Sequence, residues 1–151
     1  MNSRNFENLF EVVGILARRR YLAGEHGFSR LGLNHTEARL LTLLHEQEGE
    51  ATQDALSRMV FIDRSNVGRA LKSLEMQGFV NRGRDATDAR TRTVRLTLKG
   101  QEMAKQIGLL RVEIARSFFG DLSEQEAGNI AALLRRTMKL DRLANETEGG
   151  E

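Results

Sequence analysis

Ser65, Asn66, Arg69, Lys72 and Ser73 bring two hydroxyls, one amide and two cations into nine consecutive residues. A helical repeat of about 3.6 residues puts these five on one side, with Val67, Ala70, Leu71 and Leu74 on the other. The polar side offers hydrogen bonds and positive charge. An arginine can hold guanine O6 and N7 with two bonds, and an asparagine can do the same to adenine. Lys72 and the hydroxyl of Ser73 suit phosphate oxygens, which add affinity without sequence information. Arg64, at the edge of the face, suits a phosphate or a salt bridge equally. A second charged cluster holds Arg84, Asp85, Asp88, Arg90 and Arg92. The chemistry these residues can do is recognition of duplex DNA.

Catalysis finds little here. There is no nucleophile–base pair, no glycine-rich phosphate loop and no metal-ligand cluster in the pattern. The sequence has no cysteine and three histidines, His26, His35 and His45, none at metal-ligand spacing. His35-x-Glu37 has the form of a zinc deaminase motif, but that site needs a Cys-x-x-Cys partner. The chain is therefore expected to be no enzyme and to carry no cofactor or metal.

The elements that must position these residues follow from local pattern. TQDALSRMV, residues 52–60, predicts a first helix with Ala55, Leu56, Met59 and Val60 on one face. A turn at Phe61–Ile62 leads to Asp63 as N-cap of a second helix, from Asp63 to about Met76, which Gly78 stops as a C′ residue. Phe79 to Arg82 predicts one strand and Arg92 to Leu96 a second, with Val94 and Leu96 inward and Thr93 and Arg95 outward. Gly83 to Thr91 joins them as a polar hairpin loop. Helix, turn, helix and basic hairpin make the winged helix-turn-helix plan.

That plan carries a resemblance. DARTRTVRLT, residues 88–97, resembles the wing signature of the MarR family of transcriptional regulators, and DRSNVGRALKSLEMQGFVNR, residues 63–82, resembles its recognition helix and first wing strand. With the flanking helices the resemblance covers nearly the whole chain. It implies a homodimer that binds pseudo-palindromic operator DNA and is often released by a small molecule, an aromatic or phenolic acid. It also implies that Arg90 enters the minor groove from the wing tip, oriented by a salt bridge from Asp88; Arg84 and Arg92 join the DNA-binding set. A plain hairpin-stabilising pair is the other reading of Asp88 and Arg90. Ala89 stands where a second basic residue is common, and the frequent proline of the wing is absent.

The flanks complete the organisation. Phe6, Leu9, Phe10, Val13, Leu16 and Ala17 form the stripe of a helix from about Asn5 to Tyr21. Arg18, Arg19 and Arg20 end it, either as a solvated, dipole-favourable terminus or as cations for an anionic ligand, with His35 a further candidate. Gly24 to Gly32 reads as a loop. Asn34 and Glu37 form a capping box for a buried helix rich in leucine that ends near Gly49. Thr97 caps a long helix to about Phe119, where Met103, Ile107, Leu110, Ile114 and Phe118 approach a heptad seam. Intramolecular core is the alternative for that seam. Ser123 to Glu126 is a capping box for a last helix bearing Ile130, Leu133, Leu134, Met138 and Leu140.

The expected fold is mainly α with a small β-hairpin. Residues 1–32 form a dimerisation helix and loop, 33–97 the DNA-binding head, 98–146 dimerisation helices and 147–151 a frayed tail. Residues 51–100 hold ten Lys/Arg against five Asp/Glu, in a chain of net charge +2, so positive charge gathers at the head. No stretch approaches the roughly 20 apolar residues of a membrane span, and MNSRNFENLF lacks a signal-peptide layout, so a cytoplasmic location is expected. The function expected is a ligand-responsive repressor acting as a homodimer. The alternative is a winged-helix protein–protein module that has lost DNA binding, against which Arg69, Lys72 and Arg90 argue.

Overall fold

Leu40, Leu41 and Leu44 are fully buried, and the core of the helix-turn-helix region is built around the helix that carries them, α2 (His35–Glu46). Its capping box forms as the sequence predicts: Asn34 Oδ1 accepts from the Glu37 amide at 2.9 Å, and Glu37 Oε1 accepts from the Asn34 amide at 3.1 Å. The computed structural model describes residues 3–60, 64–84 and 87–148, without the side chains of residue 64 and residues 139–148. Two compact units divide the chain, residues 1–114 and 115–151.

Along the chain, α1 (Arg4–Ser29) precedes α2, and β1 (Glu50–Thr52), α3 (Gln53–Val60), α4 (Arg64–Met76), β2 (Val80–Arg84), β3 (Arg92–Leu96) and α5 (Leu98–Phe118) follow, with the boundary between the units at residue 114 falling inside α5. Leu56 of α3 and Val67, Leu71 and Leu74 of α4 close on the leucines of α2, with Val80 and Val94 from the sheet. Gly78 has φ +82, the left-handed conformation a C′ glycine supplies, and it ends α4 as expected. The Asp63 cap and the Phe61–Ile62 turn lie outside the described residues. The sheet has the order β1-β3-β2, all antiparallel, so the hairpin gains a third strand through Glu50↔Arg95, Ala51↔Val94 and Thr52↔Thr93. β2 runs two residues further than expected, through Arg84.

α1 corrects the expected boundary at Tyr21. It continues through Gly24 and Gly27, whose missing side chains are contact positions rather than breaks. A Cβ at Gly24 would stand 2.4 Å from His35 Cε1, and one at Gly27 2.5 Å from Ile114 Cδ1. Arg18, Arg19 and Arg20 are therefore exposed in mid-helix, and the dipole argument for them falls.

The long helix also needs correcting. Ile107 and Leu110 are buried in the core of the first unit, with Met103 and Ile114 packed against it. The heptad-like spacing over these residues therefore serves the chain's own core. Thr97 caps α5 as predicted, its hydroxyl accepting from the Gly100 amide at 3.0 Å and donating to Gly78 O at 2.6 Å.

In the second unit, Ser123 and Glu126 form the predicted box ahead of α6 (Glu124–Glu148) at 3.0 and 3.1 Å. The helix runs on through residues 147 and 148, which the sequence assigned to the frayed tail; the last of them is glutamate, a good helix former. Among the described residues, no helix is long and apolar enough to cross a membrane.

Candidate nucleic-acid interface

α4 presents three stripes. Val67, Ala70, Leu71 and Leu74 face the core. Ser65, Arg69, Lys72 and Met76 recur at intervals of four, three and four residues on the opposite side, and all four are exposed. Asn66, Ala70, Ser73 and Gln77 repeat the same intervals one residue on, along the flank toward α2. Asn66 thus lies beside the outer stripe, and the Arg69 guanidinium donates a hydrogen bond to its Oδ1. An open groove of about 370 Å³ runs along this flank, between Asn34 and Thr36 of the α2 start and Asn66, Arg69 and Ser73 of α4. Arg64 opens α4, but its side chain lies outside the described residues.

Ser73 needs a different reading from a phosphate contact. It is half-buried, and its hydroxyl donates to Glu37 Oε2 at 2.8 Å. The reason is angular: Ser73 sits one helical step beyond Lys72, far enough round α4 to meet α2 rather than solvent.

The wing places its cations in the open. Arg84 and Arg92 are exposed and occupy opposite positions of the β2–β3 ladder. Arg90 is exposed near the tip. The carboxylate of Asp88 accepts from the Arg90 backbone amide at 3.0 Å and from the Thr91 hydroxyl at 3.2 Å. Among the described residues no ion pair joins it to the Arg90 guanidinium, so Asp88 fixes the loop backbone where a salt bridge was expected. The short side chain of aspartate reaches an amide two residues on, as in an Asx-turn. Asp85 lies outside the described residues. At the foot of the wing, Glu75 of α4 takes the Arg82 amide at 3.1 Å and its guanidinium at 3.3 Å, tying β2 to α4.

His35 is committed to packing. Its ring stacks on Tyr21 with centroids 4.3 Å apart and meets Phe28 edge-on at 5.4 Å. Its Nε2 lies 2.6 Å from the Tyr21 carbonyl oxygen. Glu25 Oε1 accepts from the His35 amide at 3.4 Å. His35 therefore docks α1 on the start of α2, whereas Arg18, Arg19 and Arg20 point to solvent as exposed residues. Among the described residues no cluster of His, Asp and Glu could hold a metal ion.

Known proteins share this fold. The MarR family model matches residues 33–91, from the start of the α2 cap to the wing. The uncharacterized HTH-type transcriptional regulator YkoM of Bacillus subtilis is 30% identical over 139 residues, 89% of each chain. YybA of the same organism, described in the same terms, is 29% identical over 135 residues, 87% of each chain. Among solved structures, a MarR transcriptional regulator from Methanosarcina mazei Go1 has a TM-score of 0.79 at 22% identity, covering 91% of this chain and 99% of that one. A mutant of Escherichia coli MarR complexed with operator DNA has a TM-score of 0.74 at 18% identity, covering 91% and 98%. The chain belongs to the MarR family of winged helix-turn-helix transcriptional regulators.

Proposed function

We propose that this protein is a repressor that binds duplex DNA as a homodimer, with α4 in the major groove and the wing along the adjacent minor groove. The observation that carries the reading is the exposed stripe of Ser65, Arg69 and Lys72, held outward by the buried Val67, Leu71 and Leu74. It presents donors where base edges and phosphates would lie. The exposed Arg84, Arg90 and Arg92 add charge suited to a narrow minor groove. The related fold solved with operator DNA supports the same docking.

Homodimerisation is supported by α1. Phe6 and Phe10 are 78% and 84% exposed, with Leu9, Val13 and Tyr21 also open. A contiguous apolar helix face of this kind marks an interaction site, and a second copy of the chain supplies a matching face. α6 carries exposed Ile130, Leu133 and Met138 for the same use. The effector class is an aromatic or phenolic acid, for which Arg18, Arg19 and Arg20 supply exposed cations. The proposed location is the cytoplasm, where the operator DNA is.

Selection of bound duplexes from a random-sequence pool tests this directly. The expected product is a pseudo-palindrome with half-sites about 10 base pairs apart, footprinted with two-fold symmetry and released by a phenolic acid. A footprint without two-fold symmetry would refute the dimeric reading, and recovery of no preferred sequence would refute the repressor.

A further inference from the structure

Glu37 is a buried carboxylate, 6% exposed, between two helices that have different tasks. Its Oε1 accepts from the Asn34 amide and so caps α2. Its Oε2 accepts from Ser73 Oγ on α4 at 2.8 Å and from Nε2 of Gln77, the residue that follows α4, at 3.1 Å, while Gln77 Nε2 also reaches Ser73 Oγ at 3.1 Å. No cation pairs with it among the described residues. Capping needs one oxygen only; the second is spent on α4.

Burying a carboxylate without a cation is unfavourable, and an apolar side chain of similar volume would join α2 to α4 at lower cost. Apolar contact between leucines, however, tolerates small rotations of one helix on another, whereas hydrogen bonds fix direction. Ser73 and Gln77 lie on the flank of α4 beside the stripe of Ser65, Arg69 and Lys72, so holding them sets the angle at which that stripe faces outward. A rotation of roughly 20° about the axis would move side-chain atoms at a radius of about 5–6 Å by roughly 2 Å, enough to break a bidentate contact. The anchor on the α2 side is firm, because Glu25 and the Tyr21–His35 stack hold the same turn from α1.

We propose that Glu37 is a positioning residue for DNA reading: through Ser73 and Gln77 it sets the rotation of α4, and hence sequence discrimination rather than general affinity. The inference rests on α4 being the reading helix. Sequence information comes from base contacts, which need angular accuracy, while phosphate contacts tolerate displacement.

The test compares the full chain with Glu37→Gln, Ser73→Ala and the exchange Glu37→Gln/Gln77→Glu. Each is titrated with a duplex selected by the wild type and with a scrambled duplex of the same length, and each melting temperature is recorded. Both single variants are expected to lose about tenfold in affinity for the selected duplex, the equivalent of one bond to a charged group, with affinity for the scrambled duplex and the salt slope unchanged. The exchange returns one carboxylate and one amide to the same place and is expected to recover most of the discrimination. An unchanged ratio of selected to scrambled affinity, with only the melting temperature lowered, would overturn the proposal. So would an exchange that stays as poor as Glu37→Gln. A wild type that itself shows no preference would refute the reading helix first, and the positioning role with it.

Discussion

Arg84 and Arg92 stand directly opposite one another across the β2–β3 ladder, both exposed. Like charges at opposed positions destabilise a sheet by a few tenths to about 1 kcal/mol. A hairpin selected for stability alone would place a carboxylate at one of them. Arg84→Glu is therefore expected to raise the melting temperature slightly while weakening DNA binding at least tenfold, since an attraction to phosphate becomes a repulsion. Calorimetry beside a binding titration separates the two. A variant that binds as well as the wild type would remove the wing from the interface.

Gly68 lies inside α4, where glycine is unfavourable to a helix. A Cβ there would lie 3.5 Å from Gln53 Nε2, ordinary contact, so packing against α3 does not require glycine. Gly68→Ala is expected to stabilise the protein by about 0.5–1 kcal/mol through helix propensity, measured by chemical denaturation. A loss of stability would mean that the contact with Gln53 cannot relax.

The two kinds of apolar residue should separate by concentration dependence. Ile107 is fully buried in the first unit, and Ile107→Ala is expected to cost about 2–5 kcal/mol without changing the oligomeric state. Phe10 is 84% exposed, and Phe10→Asp is expected to leave a folded head but yield monomers in sedimentation equilibrium. A dimer that survives Phe10→Asp unchanged would place the interface elsewhere.

Glu126 makes the start of α6 sensitive to acid. The Ser123 backbone amide, and then its hydroxyl, hold the Glu126 carboxylate below its ordinary pKa. The sign follows from linkage: with the folded pKa depressed, the contribution is present above the ordinary carboxylate value and is lost as pH falls through the folded value. Ser123→Ala removes only the hydroxyl bond, so a carbon-detected titration should show Glu126 moving part of the way back up. No movement would leave the backbone bond as the whole cause.

Where a local signal was complete, the sequence was readable in detail. The Asn34–Glu37 box, Gly78 as the stop of α4, the strand from Arg92 to Leu96 and the caps at Thr97 and Ser123 all stand as expected. What it concealed had tertiary causes. Gly24 and Gly27 look like breakers until His35 and Ile114 are seen against them. β1 is three residues long, too short for an alternation to register. The spacing of Ile107 and Leu110 fits a core and a coiled coil alike. In the candidate site, the outward stripe of Ser65, Arg69 and Lys72 was legible. The turn of Ser73 toward Glu37 was not, because its partner lies 36 residues away. The recurrence of Asn66, Ala70, Ser73 and Gln77 was the available sign of a separate flank.

Joint reading of DNA by α4 and the wing is tested by a salt-series titration. Wild type, Arg69→Ala and Arg90→Ala would be titrated with the selected duplex at several salt concentrations. Tight binding with a steep salt dependence is expected, with a loss of roughly 1–3 kcal/mol for Arg69→Ala that falls mainly on discrimination between duplexes. Arg90→Ala should bind more weakly with a shallower salt slope. Weak binding, indifferent to sequence and to both substitutions, would contradict joint reading.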